Sequence, residues 1–216
     1  MQRTSYRHVI WDWNGTLLND AWLCVDCMNV LLRQRGLQEL TVERYQETFD
    51  FPVVDYYRRL GFDFTRETFE EAGTAFIRAY ELRKEECDLQ PFARETIATL
   101  RDAGITQSVL SAYRQDTLEQ LIAHFGLRDA FIRLVGLQDH YAAGKVELGR
   151  RWIAELPHDP SEVLLVGDTT HDAETARAMG VDCVLMPGGH NTPERLQACG
   201  VPVLGSLREV SLLLHS

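Results

Sequence analysis

The sequence predicts an α/β protein: a parallel sheet covered by helices on both faces, interrupted once by an all-helical insert. Three observations carry this. Short apolar runs alternate with helical patterns through most of the chain, the signature of a parallel sheet. Two of those runs, Val9-Ile10-Trp11 and Val163-Leu164-Leu165-Val166, end abruptly in carboxylates and small residues, Asp12-Trp13-Asn14-Gly15-Thr16 and Gly167-Asp168-Thr169-Thr170-His171-Asp172. Residues 18–87 break the rhythm and read as helices only.

In order, residues 8–12 read as the first strand. The insert follows with helices at about 20–35, 41–49, 52–60 and 65–87, punctuated by Gly36 and Gly61. Thr65-x-x-Thr68 with Glu67 supplies a start for the last of them, since acids suit a helix N-terminus. The alternation then resumes with a helix at 91–103 closed by Gly104, a strand at 106–111 and a helix at 115–125 closed by Gly126. A strand at 131–135 and a helix at 145–156, stopped by Pro157, come next. Strand 162–167, helix 172–179 ending at Gly180, strand 182–186, a short helix 193–199, strand 201–204 and helix 206–214 complete the chain. The division is therefore a core of residues 1–17 and 88–216 and a helical cap of residues 18–87, placed as a lid over the strand ends.

Bulk properties narrow the function. The 216 residues are 45% hydrophobic, enough for a proper core, and carry a formal net charge of −10 with no Lys/Arg cluster. Non-specific binding to nucleic acid or anionic membranes is excluded on that balance. No stretch of 18 or more residues is apolar and the start lacks a signal-peptide core, so the reading is a soluble cytoplasmic protein. The five cysteines fit that compartment as reduced thiols, and Cys24-x-x-Cys27 lacks the second pair a zinc site needs.

The chemistry sits at the strand ends, where open parallel sheets bind ligands. Two neighbouring strands that end in Asp can share one Mg²⁺, a cation that takes carboxylate, carbonyl and water oxygens. Phosphoryl transfer needs an in-line nucleophile and dense positive charge. Asp12 can attack phosphorus to give an aspartyl-phosphate, and Asp168 and Asp172 can hold the metal. Gly15 and Gly167 allow close backbone approach. Either acid alone would pass as a strand end capping the next helix; the pair, with a further acid four residues on, points to a site. Ser111, ending Ser108-Val109-Leu110, can offer a hydroxyl and nearby N–H to a phosphate oxygen. Lys145 follows Ala142-Ala143-Gly144 and opens a helix, where a cation is locally unfavourable, so it serves a carboxylate or phosphate instead. It is one of two lysines in the chain, the other being Lys84.

This set resembles the haloacid dehalogenase-like hydrolase superfamily, in its phosphoglycolate-phosphatase-like branch with a helical cap. The family's four motifs map in order onto Asp12-to-Thr16, Ser111, Lys145 and Gly167-to-Asp172. Leu89-Gln90-Pro91-Phe92 and His124-Phe125-Gly126-Leu127 are also similar to this branch. The resemblance implies a Rossmann-like core and Asp12 as nucleophile. It implies Mg²⁺ held by Asp12, Asp168 and the Asn14 backbone carbonyl, with Asp172 supporting Lys145 or a metal-bound water. It also implies that Ser111 and Lys145, with Gly15 and Thr16 beside them, receive the phosphate. The partner is then a small phosphorylated metabolite, and the assembly a monomer or homodimer.

One residue departs from the pattern. Family phosphatases usually carry Asp two residues after the nucleophile, to protonate the leaving oxygen and then activate water. Here the position is Asn14, whose amide exchanges no proton near neutral pH. Loss of general acid–base catalysis costs about 10²–10⁴ in rate. Three readings follow: a working phosphatase that favours good leaving groups or borrows His171 or His190; a phosphate-ester-binding or regulatory protein with vestigial hydrolysis; or a hydrolase of another bond, a dehalogenase or a phosphonatase. Trp11 is expected in the core, Trp13 against the site or the cap, and the aromatics of Phe49 to Tyr57 in the cap's own small core.

Overall fold

The computed structural model describes residues 6–138 and 144–213. The Ala142-Ala143 approach to Lys145 and the last residue of the expected helix 206–214 lie outside them.

The chain opens with β1 (His8–Trp11) and a two-residue strand β2 (Leu18–Asn19). Four helices follow: α1 (Ala21–Gln34), α2 (Val42–Thr48), α3 (Val53–Arg59) and α4 (Phe69–Glu81). The chain returns through β3 (Asp88–Leu89), α5 (Ala93–Asp102), β4 (Thr106–Arg114), α6 (Gln115–His124) and β5 (Arg133–Leu137). Then come α7 (Lys145–Glu155), β6 (Val163–Gly167), α8 (Thr170–Met179), β7 (Asp182–Leu185), α9 (Pro193–Gln197) and α10 (Arg208–Leu213).

The five-stranded sheet has the order β5-β4-β1-β6-β7, parallel throughout. Its strands read as continuous apolar runs because both faces are covered: Val9, Ile10 and Trp11 of β1, and Val163, Leu165 and Val166 of β6, are fully buried. β1 lies at the centre, with β4 on one side and β6 on the other, so the chain leaves it in opposite directions. That reversal is the topological switch point, where an open sheet forms its ligand crevice.

Several expectations shift. The last helix of the insert does not start at Thr65 or run to residue 87. Thr68 caps it instead: its hydroxyl accepts from the Glu71 N–H at 3.1 Å while Glu71 accepts from the Thr68 N–H at 2.7 Å. This reciprocal pair satisfies two otherwise orphaned donors, so the helix begins at Phe69. It ends at Glu81, and Lys84–Glu86 form a separate 3₁₀ turn. The strand expected at 106–111 continues to Arg114, which pairs with Leu137 across an irregularity in register. Residues 201–204 make only an isolated bridge, Leu185 with Val203. β2 and β3 carry no sequence signal: they pair antiparallel, Leu18 with Leu89 and Asn19 with Asp88, and tie the two ends of the helical insert together.

The insert rests on the loop after β7. Gln46 Nε2 donates to the Gly189 carbonyl at 2.7 Å, and Arg195 donates to the Phe49 carbonyl at 2.5 Å and the Gln46 carbonyl at 3.1 Å. Arg195 also pairs with Asp50 at 3.2 Å. As expected, Tyr56 and Tyr57 are buried within the insert; Tyr45 is buried there too, with Phe49 stacked on it.

Candidate active site

The carboxyl ends of β1 and β6 bring the two acidic motifs together. Trp11 is in register with Val166, and the Asp12 N–H donates to the Val166 carbonyl at 2.9 Å. Asp12, Asp168 and Asp172 are all buried, and each offers an oxygen within 4.8 Å of the others. Asp172 is the third residue of α8, one turn above Asp168. Its Oδ2 accepts from the Thr169 N–H at 3.0 Å and the Thr169 hydroxyl at 2.6 Å, which caps the helix and fixes the carboxylate. Its Oδ1 accepts from Lys145 Nζ at 2.5 Å, and Lys145 also donates to Asp12. The lysine at the start of α7 thus bridges two carboxylates, as its awkward place at a helix N-terminus suggested.

Two glycines make this approach possible. Gly15 has φ +80°, and a Cβ there would fall onto the Asp168 carboxylate and the His190 ring. A Cβ on Gly167 would overlap Asp172. Thr16 is buried, and its hydroxyl donates to Asp168 Oδ1 at 2.8 Å, so its side chain orients the acid. Ser111 lies at the same edge, two residues past the Val109–Trp11 pair; its Oγ accepts from the Tyr113 N–H at 3.0 Å. The strand continues past Ser111 because Arg114 still pairs with the neighbouring strand.

Charge in this cluster is uneven. Burial pushes the Asp12 carboxyl well above its usual range against the opposing pull of Lys145. Burial likewise raises Asp168 to about 6, with Asp172 adding to the shift and His190 opposing it. For Asp172, burial is outweighed by Lys145 and the Thr169 donors, which hold it below the ordinary value. Three buried carboxylates thus share one buried ammonium. Oxygen-only donors with surplus negative charge fit a hard divalent cation such as Mg²⁺ and would suit no soft metal. A bound cation would pull all three acids down.

A second buried cluster adjoins the first. Asn14 Nδ2 donates to Asp20 Oδ2 at 2.8 Å and to the Tyr80 hydroxyl at 3.1 Å. Asp20, fully buried, also accepts from the Gly15 N–H at 2.8 Å and the Tyr80 hydroxyl at 2.7 Å. His190 Nε2 lies 3.5 Å from Asp20 Oδ1, and His190 Nδ1 lies 2.9 Å from the Tyr45 hydroxyl. The His190 backbone N–H donates to Asp168 Oδ2 at 2.6 Å, joining the two clusters. Burial lowers the basicity of His190, but Asp20 and then Asp168 outweigh it and raise the ring to about 9. Burial pushes Asp20 up, yet His190, Tyr80 and Asn14 together hold it below its ordinary value.

Of the two histidines considered as substitutes, His190 reaches the site. His171 instead pairs with Glu174 at 3.3 Å and packs against Phe51 with ring centroids 4.6 Å apart. Trp11 is buried and donates to Gln107 at 3.0 Å, as expected, and Trp13 is buried against Phe125. Lys84 pairs with Glu81 at 2.8 Å. Cys24 and Cys27 are buried free thiols. Sequence reasoning does not find Asp20, Tyr80 or Tyr45. The one signal is Asp20 itself, an acid placed just before a helix.

Residues 9–186 match the family model described as haloacid dehalogenase-like hydrolase. A tyrosine-protein kinase, PtkA of Mycobacterium tuberculosis, is 26% identical over 198 residues, 91% of this chain and 67% of that protein. A phosphoglycolate phosphatase of Synechococcus elongatus is 24% identical over 199 residues, 88% of each chain. A solved haloacid dehalogenase-like hydrolase of Streptococcus pneumoniae superposes with a TM-score of 0.83 at 16% identity, covering 96% of this chain and 97% of that one. Among the described residues, no helix is long and apolar enough to cross a membrane.

Proposed function

This chain belongs to the haloacid dehalogenase-like hydrolase family, and on that footing we propose that it is a Mg²⁺-dependent phosphohydrolase for small phosphate monoesters. The observation that carries this is the set of three buried carboxylates within 4.8 Å of one another, bridged by Lys145 at the ends of adjacent strands.

Asp12 and Asp168, with the Asn14 backbone carbonyl, would hold Mg²⁺. When bound, the cation supplies charge neutralisation between phosphate and nucleophile. Asp12 attacks phosphorus, the ester oxygen leaves, and an aspartyl-phosphate forms on the Asp12 carboxylate. Lys145, kept protonated by Asp12 and Asp172, and the Ser111 hydroxyl receive the equatorial phosphate oxygens. Asp172 aims Lys145, and Thr16 aims Asp168. The insert, resting on the loop at Gly189 and His190, excludes water from the ester. Asn14 has no proton to exchange, so esters with good leaving groups are favoured and hydrolysis of the aspartyl-phosphate is slowed by about 10²–10⁴. A phosphoglycolate-like ester is the leading substrate class, in line with the relative of that activity.

A second reading is favoured by the fixed Asn14 amide. An aspartyl-phosphate that resists water lives long enough to meet another acceptor, such as a phenol hydroxyl, and the kinase relative is in keeping with transfer of that kind. A binding or regulatory protein is the remaining alternative. Other bond types fit less well: a dehalogenase does not need both Asp168 and Asp172, and Lys84 is engaged by Glu81 where a phosphonatase needs a free cap amine.

The test is hydrolysis of p-nitrophenyl phosphate with and without Mg²⁺, beside Asp12→Ala. Mg²⁺-dependent turnover lost in the variant supports the hydrolase. Phosphoryl transfer to an added phenol in excess of hydrolysis supports the second reading. Ester binding without either reaction leaves the binding protein.

A further inference from the structure

The Asn14 side chain is tied to a residue six positions along the chain. Asp20 occupies the N-cap position of α1, yet its carboxylate makes no cap hydrogen bond to that helix. It is turned instead to the site. Oδ1 takes the Gly15 N–H at 2.8 Å, and Oδ2 takes Asn14 Nδ2 at 2.8 Å and the Tyr80 hydroxyl at 2.7 Å. A helix thereby forgoes its cap, and a fully buried carboxylate is held by donors from the Asp12 loop and from α4, with the His190 ring 3.5 Å from Oδ1. The change N14D would put a second carboxylate oxygen in the place of Nδ2, at hydrogen-bond distance from Oδ2. Like charges at that separation, out of water, repel strongly.

We propose that Asn14 and Asp20 are an exchanged acid–amide pair: Asp20 requires an amide at position 14 and, with Tyr80, clamps it. Asp20 is therefore the positioning residue behind the slow step, and the brake on dephosphorylation belongs to the pair, not to Asn14 alone. The hydrogen-bond pattern also allows the reverse arrangement. In N14D/D20N, Oδ1 of the side chain at position 20 keeps the Gly15 N–H, its Nδ2 donates to the carboxylate at position 14, and the Tyr80 hydroxyl turns to that carboxylate. The polarity is inverted while the number of donors and acceptors stays matched. The kinetic part of this inference rests on the phosphohydrolase reading; the structural part does not.

A double-mutant cycle separates the two parts. Wild type, N14D, D20N and N14D/D20N are compared by denaturant unfolding at neutral pH in chelator. N14D is expected to lower the folding equilibrium constant about tenfold or more when Asp20 is present and to cost much less when it is introduced into D20N. Equal effects of N14D in the two backgrounds overturn the proposal. Should N14D alone fail to fold, a folded N14D/D20N supports the pair and an unfolded one overturns it. The kinetic readout is decay of acid-trapped phosphoenzyme formed from p-nitrophenyl phosphate and Mg²⁺. Decay is expected to quicken by about 10² in N14D/D20N and far less in N14D; an equal gain in N14D alone overturns the proposal. If none of the four proteins forms a phosphoenzyme, the hydrolase reading fails, while the unfolding cycle still decides the pair.

Discussion

The two buried clusters that meet at the Asp12 loop are built on opposite terms. On the strand side, Asp12, Asp168 and Asp172 share one ammonium, and burial holds Asp12 and Asp168 above their ordinary values. On the insert side, Asp20 is saturated by Gly15, Asn14 and Tyr80, with His190 beside it, and lies below its ordinary value. The first cluster has more carboxylates than cations, and on the proposed function it takes a cation and a phosphate. In the second, the Asp20 carboxylate has a donor on each oxygen. On that reading, reactivity lies with three carboxylates on the strand side and restraint with the single carboxylate of Asp20 on the insert side.

The sharpest way to break this division is at the nucleophile. Asp12→Ala should remove Mg²⁺-dependent turnover to background, a loss of roughly 10⁴ or more, measured with p-nitrophenyl phosphate. Lys145→Met comes next. It leaves Asp12 and Asp172 buried without their cation, and unfolding in chelator should show a loss of about 3–5 kcal/mol. On the proposed function Mg²⁺ should recover part of that loss, since a ligand of the folded cluster alone stabilises the folded state. No such recovery is expected for a change on the insert side.

The pH profile distinguishes the clusters further. His190 is held at about 9, above its unfolded value near 6.5. Its contribution, on the order of 3 kcal/mol, is fully present below pH 6.5 and is lost as pH rises through 9. Unfolding free energies of metal-free protein across that range should therefore fall, and His190→Gln should flatten the fall. The smallest effect is Tyr80→Phe. Removal of one hydroxyl shared by Asp20 and Asn14 should cost about 1–2 kcal/mol and leave the Mg²⁺-induced rise in melting temperature unchanged.

The contrast also explains what could be read from the chain. The strand-side cluster is legible because each member is fixed by local structure: Asp12 and Asp168 end apolar strands, Asp172 completes a helix cap, and Lys145 sits where a helix start disfavours it. The insert-side cluster is not. Tyr45 and Tyr80 come from separate helices, His190 from a loop, and Asp20 carries the ordinary signature of an N-cap it does not perform. Only tertiary packing selects them. The same limit applies to the β2–β3 pair, whose two-residue strands lie far apart in the chain and have no periodicity to reveal them. The start of α4 is a different case, because its reciprocal Thr68–Glu71 cap is local and overrides the acid at Glu67. Strand β4 outruns its apolar stretch because pairing of Arg114 with Leu137, not burial, extends it.

The most direct test of the account is the intact mass of the acid-quenched protein after brief exposure to p-nitrophenyl phosphate and Mg²⁺. The account requires a species heavier by one phosphoryl group, released by hydroxylamine and absent in chelator and in Asp12→Ala. A phosphoryl group that persists in Asp12→Ala, or turnover that proceeds in chelator, would contradict it.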